Sequence, residues 1–175
     1  ALIRNCSGII DTGPVAIAGS ANTLTIADRG SRAIAAARIE GSWSFPDTTP
    51  LTIDGWITSP DSYITIYTAP EARHPGRWSE TSYRLVAANT IALKVKEENV
   101  RIDGLQIQLT SVDDNNHKAL ELQSEGVADY HVSNCIFRGA GEVSHLWHSG
   151  LVIWNSDISG SGQARVWNNI AYDFG

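Results

Sequence analysis

The 175-residue sequence has no methionine, only two cysteines and no proline after Pro75. Cys6 and Cys135 lie far apart and neither belongs to a C-x-x-C pair, which excludes a zinc ribbon or a dithiol redox motif. Their scarcity favours two buried thiols, with a single disulfide as the alternative. There is no block of basic residues. The 13 Lys and Arg face 19 Asp and Glu for a net charge of −6, so no nucleic-acid partner is expected. No apolar run approaches the ~18 residues of a membrane helix, so no membrane span is expected. Gly-rich phosphate loops, H-E-x-x-H and G-x-S-x-G are missing, which removes support for nucleotide-dependent, zincin and α/β-hydrolase chemistry. The chain starts at Ala1 without a basic and apolar leader, so no signal peptide is expected; a processed form and a fragment both fit.

With 42% hydrophobic and 18% charged residues, the composition is globular and its length suits one ordinary domain. All six prolines (Pro14, Pro46, Pro50, Pro60, Pro70 and Pro75) fall in the first 75 residues, so an irregular N-terminal part is followed by a more regular one. Helix signal is confined to Arg32–Glu40, where alanines are frequent, and even that stretch lacks a clear 3.6-residue stripe. Elsewhere apolar residues alternate over short runs, as in Tyr63-Ile64-Thr65-Ile66-Tyr67, Leu93-Lys94-Val95, Val100-Arg101-Ile102 and Leu120-Glu121-Leu122. Period-2 runs broken by Gly, Asn, Asp and Ser read as many short strands.

A small motif recurs: an aliphatic residue, any residue, then Asn. It occurs at Ile3-Arg4-Asn5, Val132-Ser133-Asn134, Ile153-Trp154-Asn155 and Val166-Trp167-Asn168, with Gly in the Asn place at Gly55 and Gly104. Asn and Gly both tolerate positive φ cheaply, so the motif reads as a left-handed bend after a short strand. Val132 to Ile153 is 21 residues, about one coil of a three-sided stack, while Ile153 to Val166 is only 13. Hairpin signals are few. The fold class expected is all-β, a parallel β-solenoid whose bend residues Asn134, Asn155, Asn168, Gly55 and Gly104 form a structural ladder, with amides bonded from coil to coil. The competing architecture is a β-sandwich.

The stretches NVRIDGLQIQLTS from Asn99, Val132-Ser133-Asn134-Cys135-Ile136-Phe137 and Trp167-Asn168-Asn169-Ile170-Ala171-Tyr172 resemble right-handed parallel β-helix proteins of the pectate-lyase-like superfamily. Thr49–Trp78 resembles the opening coils of an uncharacterised environmental and phage-related branch. The resemblance covers roughly residues 40–175 and implies a right-handed β-helix with an irregular N-terminal region. It implies no particular activity, because this fold carries lyases, hydrolases, tailspikes and adhesins. The expected organisation is a strand or cap region over residues 1–40, with an inter-subunit assembly segment as the alternative role for it, and a β-helix over 41–175.

The leading functional expectation is a non-catalytic extracellular or cell- or virion-surface structural protein, whose copies stack end to end into a fibre. Leu2, Ile3, Asn5, Ile9, Tyr172 and Phe174 are its candidate interface residues, because a bend motif before the cap and a coil-like final strand lack partners within one chain. The alternative is a polysaccharide-binding or polysaccharide-degrading domain. Trp154 and Trp167 hold the same motif position and would stack on one face to bind sugar rings if their strands were neighbours. Degradation would need acids or bases such as Arg138, Arg165, Glu142, Asp157 and Asp173, and no recurring carboxylate pair singles any out. Asp113 and Asp114 form an oxygen-rich loop that suits Ca²⁺, although without EF-hand spacing; no other cofactor is expected. His145 and His148 are spaced for opposite faces of a strand, and His131 is expected to face outward. Asn5-Cys6-Ser7 matches the N-glycosylation acceptor pattern.

Overall fold

The computed structural model describes residues 34–111, 115–141, 148–155 and 161–174. These residues form thirteen strands and no helix, and every strand pairing is parallel. The first sheet holds β1 (Ala35–Ile39), β3 (Ile64–Thr68), β6 (Asn99–Asp103), β9 (Asp129–Ser133) and β12 (Gln163–Trp167). The second holds β4 (Leu85–Ala87), β7 (Gln106–Leu109), β10 (Ile136–Arg138) and β13 (Ile170–Tyr172). The third holds β2 (Leu51–Ile53), β5 (Ile91–Val95), β8 (Lys118–Ser124) and β11 (Ser149–Asn155).

The chain visits the sheets in the same cyclic order each time, which is a three-sided β-solenoid of about four coils. In the first coil the second sheet is represented only by a parallel bridge between Asp47 and Leu85. The Ala-rich stretch, where helix signal and a strand reading were both open, is a strand: Ala35 pairs with Ile64 and Ile39 with Thr68. Helix propensity is a weak prior, and a ladder of inter-strand bonds outweighs it. β1 also puts the start of the parallel stack before residue 41, so it belongs to the solenoid.

Alternation fills the interior. Ile66, Ile102 and Val132 follow one another up the first sheet, and Leu93 and Leu120 up the third, all buried. Each such aliphatic side chain contributes about 1.5–3 kcal/mol when withdrawn from water. The last coil departs from this. Val166, stacked on the fully buried Val132, is 47% exposed, and Ile170, stacked on Ile136, is 44% exposed. Among the described residues no helix is long and apolar enough to cross a membrane.

Candidate functional site

Three of the bend residues form a true ladder. Gly104, Asn134 and Asn168 follow paired residues Asp103, Ser133 and Trp167 at the corner between the first and second sheets, with φ of 78°, 52° and 54°. Backbone bonds tie them together: Gly104 N donates to Ser133 O and Asn134 N to Trp167 O. The amides do not bond from Asn to Asn as expected. Asn134 Nδ2 donates to Asp103 Oδ1 at 2.6 Å, and Asn169, one residue on, provides the inter-coil amide, bonding Val132 O and Cys135 N. Asp103 also accepts from Ser133 Oγ at 2.7 Å and Arg73 Nη2 at 2.6 Å. Burial alone would raise the Asp103 carboxyl, but these donors and the Arg73 charge hold it below its ordinary range. Arg73 belongs to the 69–84 connection, which is fastened here a second time by His74 Nε2, donating to Asn134 O at 2.7 Å while Nδ1 accepts from Gly76 N. Burial pushes the His74 imidazole down, which suits that neutral tautomer.

Gly55 and Asn155 are not part of this ladder. Ile53 pairs with Val95 and Asn155 with Ser124, so both belong to the third sheet and its following corner, and Asn134 and Asn155 do not superpose. The 21-residue spacing links two different faces; Val132 pairs instead with Val166. The same finding corrects the indole pair. Trp154 lies on β11 and Trp167 on β12, in different sheets, so the two rings do not stack.

Trp154 nevertheless marks the most chemically distinctive surface. On the outer face of the third sheet, Lys94 pairs with Glu121 in register, and Lys94 Nζ lies 2.8 Å from Glu121 Oε1. Lys118 Nζ engages the other oxygen, Oε2. Glu121 is only 3% exposed, although it projects outward from the solenoid. Burial alone would raise its carboxyl, but the two ammonium groups outweigh that and hold it below the usual range. Lys118 Nζ stands 5.6 Å from the centroid of the Trp154 indole, which is 56% exposed. The buried His117 lies beside His148, with ring centroids 5.2 Å apart. With both carboxylate oxygens occupied by ammonium groups, Glu121 is a poor proton acceptor; among the described residues the arrangement sets two ammonium groups and one carboxylate beside an exposed aromatic ring.

No protein family, curated protein or solved structure matches this chain.

The remaining candidates are scattered. Arg138 lies between the rings of Trp78 and Tyr172, 5.6 and 5.9 Å from their centroids, with Asp173 Oδ2 3.5 Å from Nε. Phe174 packs against the core beside Gly150. His131 faces outward on β9, where its Nε2 accepts from Arg165 Nη1 at 2.6 Å. Cys135 is a free, buried thiol pushed up to about 12 by burial. Leu2, Ile3, Asn5, Cys6, Ile9, Asp113, Asp114, Glu142, His145 and Asp157 lie outside the described residues. Among the described residues no group of three or more His, Cys, Asp or Glu is placed to hold a metal.

Composition missed the Lys94–Lys118–Glu121 platform. A signal for it was present in the repeat of Ala92-Leu93-Lys94-Val95 as Ala119-Leu120-Glu121-Leu122, whose residues pair one above the other.

Proposed function

We propose that this protein is a polysaccharide-binding β-solenoid that holds an extended glycan across the outer face of its third sheet. The observation carrying this reading is the exposed Trp154 indole beside the Lys94–Glu121–Lys118 cluster. An indole face packs against the apolar face of a sugar ring, and a neighbouring cluster with two ammonium groups for one carboxylate suits an acidic substituent. Glu121 is occupied by its lysines, which favours binding over cleavage. An extracellular or surface location, and kinship with pectate-lyase-like β-helix proteins including the phage-related branch, are parts of the same proposal. The corner Asn residues and the three-sided cross-section support the kinship.

The test is calorimetric titration with uronate oligosaccharides, alongside assays for unsaturated products and new reducing ends. Trp154→Ala should weaken binding roughly five- to tenfold, equivalent to about 1–1.4 kcal/mol. Unchanged affinity in that variant, or no affinity in the parent, overturns the reading.

A second reading, end-to-end stacking into a fibre, is favoured by the exposed Val166 and Ile170 on the last described coil. Among the described residues their strands pair on one edge only, with β9 and β10, and the other edge offers a template for a further parallel rung from another copy. Sedimentation should show association that grows with concentration and is lost in Val166→Glu. A monomer at every concentration removes this reading.

A further inference from the structure

A groove of about 510 Å³ runs along the corner between the third and first sheets, on a different face from Trp154. Connection lengths carve it. The β2–β3 connection occupies residues 54–63, whereas the β5–β6 and β8–β9 connections are only 96–98 and 125–128. The long connection stands as a wall, and the short ones leave a floor. Polar groups from four successive coils line that space: Thr58, Glu98, Asn99, Asp129, Gln163 and Arg165. At ~4.8 Å per coil they span about 14 Å, the length of a short oligosaccharide segment rather than one small ion.

The charges at this corner are unbalanced. Lys96 is taken by Asp54 at 2.7 Å. Arg165 lies 3.4 Å from Asp129 and donates to Gln163 Oε1 at 2.8 Å and to His131. Glu97 accepts the Trp56 N–H and is buried. Glu98, whose Oε1 lies against Gly126, has no ion-pair partner among the described residues. A second group is also incomplete. Asn99 is 6% exposed, its Nδ2 donates to Thr58 Oγ1 at 3.2 Å, and its Oδ1 has no hydrogen-bond partner. The groove lining therefore carries two carboxylates, Glu98 and Asp129, against one cation, Arg165, and leaves the Asn99 carbonyl oxygen without a donor, while Pro60 and Val127 supply apolar surface for a ring or chain body.

We propose that this groove binds an amino-sugar oligosaccharide, with an ammonium group of the ligand paired to Glu98. A uronate would meet the like charge of Glu98 and is disfavoured here. This site stands apart from the Trp154 platform and does not depend on it.

The experiment is titration calorimetry at low salt with a fully deacetylated β-linked glucosamine tetrasaccharide and with its N-acetylated counterpart. The parent protein should bind the deacetylated form at least tenfold more tightly. Glu98→Gln, which keeps the side-chain shape, should abolish that preference while thermal melting stays unchanged. Arg165→Gln releases Asp129 from its cation and should tighten amine binding severalfold, whereas a purely structural groove would weaken or stay the same. Trp154→Ala should leave the affinity intact, so failure of the Trp154 platform and failure of this groove read differently. Equal affinity for the two tetrasaccharides, a preference that survives Glu98→Gln, or equally tight Glu98-dependent binding of spermine overturns the proposal.

Discussion

At the corner between the first and second sheets, Asp103 accepts bonds from Asn134, Ser133 and Arg73, and the 69–84 connection is fastened over it. At the corner between the third and first sheets, Glu97 receives the Trp56 N–H, and Glu98 has no cation among the described residues. The environment moves the two carboxyls, one half-buried and one buried, in opposite directions. Asp103 is held below its ordinary value because its donors outweigh burial, and Glu97 is pushed above its own because burial outweighs the backbone donors of Trp56 and Gly55. One corner is closed and spends its polar groups on itself. The other keeps polar groups in reserve, which is the condition for binding something else.

The largest expected effect comes from crowding the closed corner. At Gly104 φ is +78°, and an added Cβ would lie 2.5 Å from Thr68 Oγ1 and 2.8 Å from Arg73 Nε. Gly104→Val should cost more than about 3 kcal/mol in urea unfolding. Gly55, at the open corner, has φ of +87° but nothing within 4 Å of such a Cβ. Gly55→Val should cost only the backbone strain, about 1–2 kcal/mol. Equal losses would erase the distinction between the corners.

Removing the closed corner's acceptor should cost less. Asp103→Ala strands donors on Asn134 and Ser133, but the Asp103 side chain is a third exposed, so water recovers part of the loss. A decrease of about 1–2 kcal/mol is expected, together with faster protease cleavage within 69–84.

Acidity separates the corners by sign. Asp103 has a lowered carboxyl, so its contribution is present above the unfolded value of 3.8 and is lost as pH falls from there through its folded value. Glu97 has a raised carboxyl, so its contribution is present below 4.5 and is lost as pH rises through its folded value. Melting curves across pH 2–7 should show Asp103→Asn losing part of the acid-side decline. Glu97→Gln should be more stable than the parent at neutral pH. A destabilised Glu97→Gln at pH 7 would contradict the assignment of that corner.

The smallest effect is chemical. Cys135 follows Asn134 directly, and its thiol, buried and pushed up to about 12, should resist disulfide reagents at neutral pH in a Cys6→Ser background until the protein unfolds. Rapid labelling of the native protein would show that the closed corner opens.

Much of the frame is legible in the sequence. Alternation at Ile64–Tyr67, Val100–Ile102 and Leu120–Leu122 marks strands because the pleat sends neighbours to opposite faces. Gly104, Asn134 and Asn168 share positive φ because only such residues turn that corner at low cost. The motif at Ile153-Trp154-Asn155 misled for a related reason. A three-residue pattern does not say which of three sheets it belongs to, and unequal connections hide the coil length. Asn155 therefore looked like a mate for Asn134, yet it pairs with Ser124. The Ala-rich stretch at 35–39 was ambiguous because alanine says little about partners several turns of chain away.

Taken alone, the amino-acid order determined that this chain builds short parallel strands with left-handed bends, since both follow from local sterics and period-2 burial. It did not determine which side chains share a surface. That was decided by register, because a coil brings Lys94 against Glu121, and Asp129 against Arg165, only when each connection has its particular length. Long-range placement sums every loop in between, and a single residue more or less would turn a paired charge toward the wrong face.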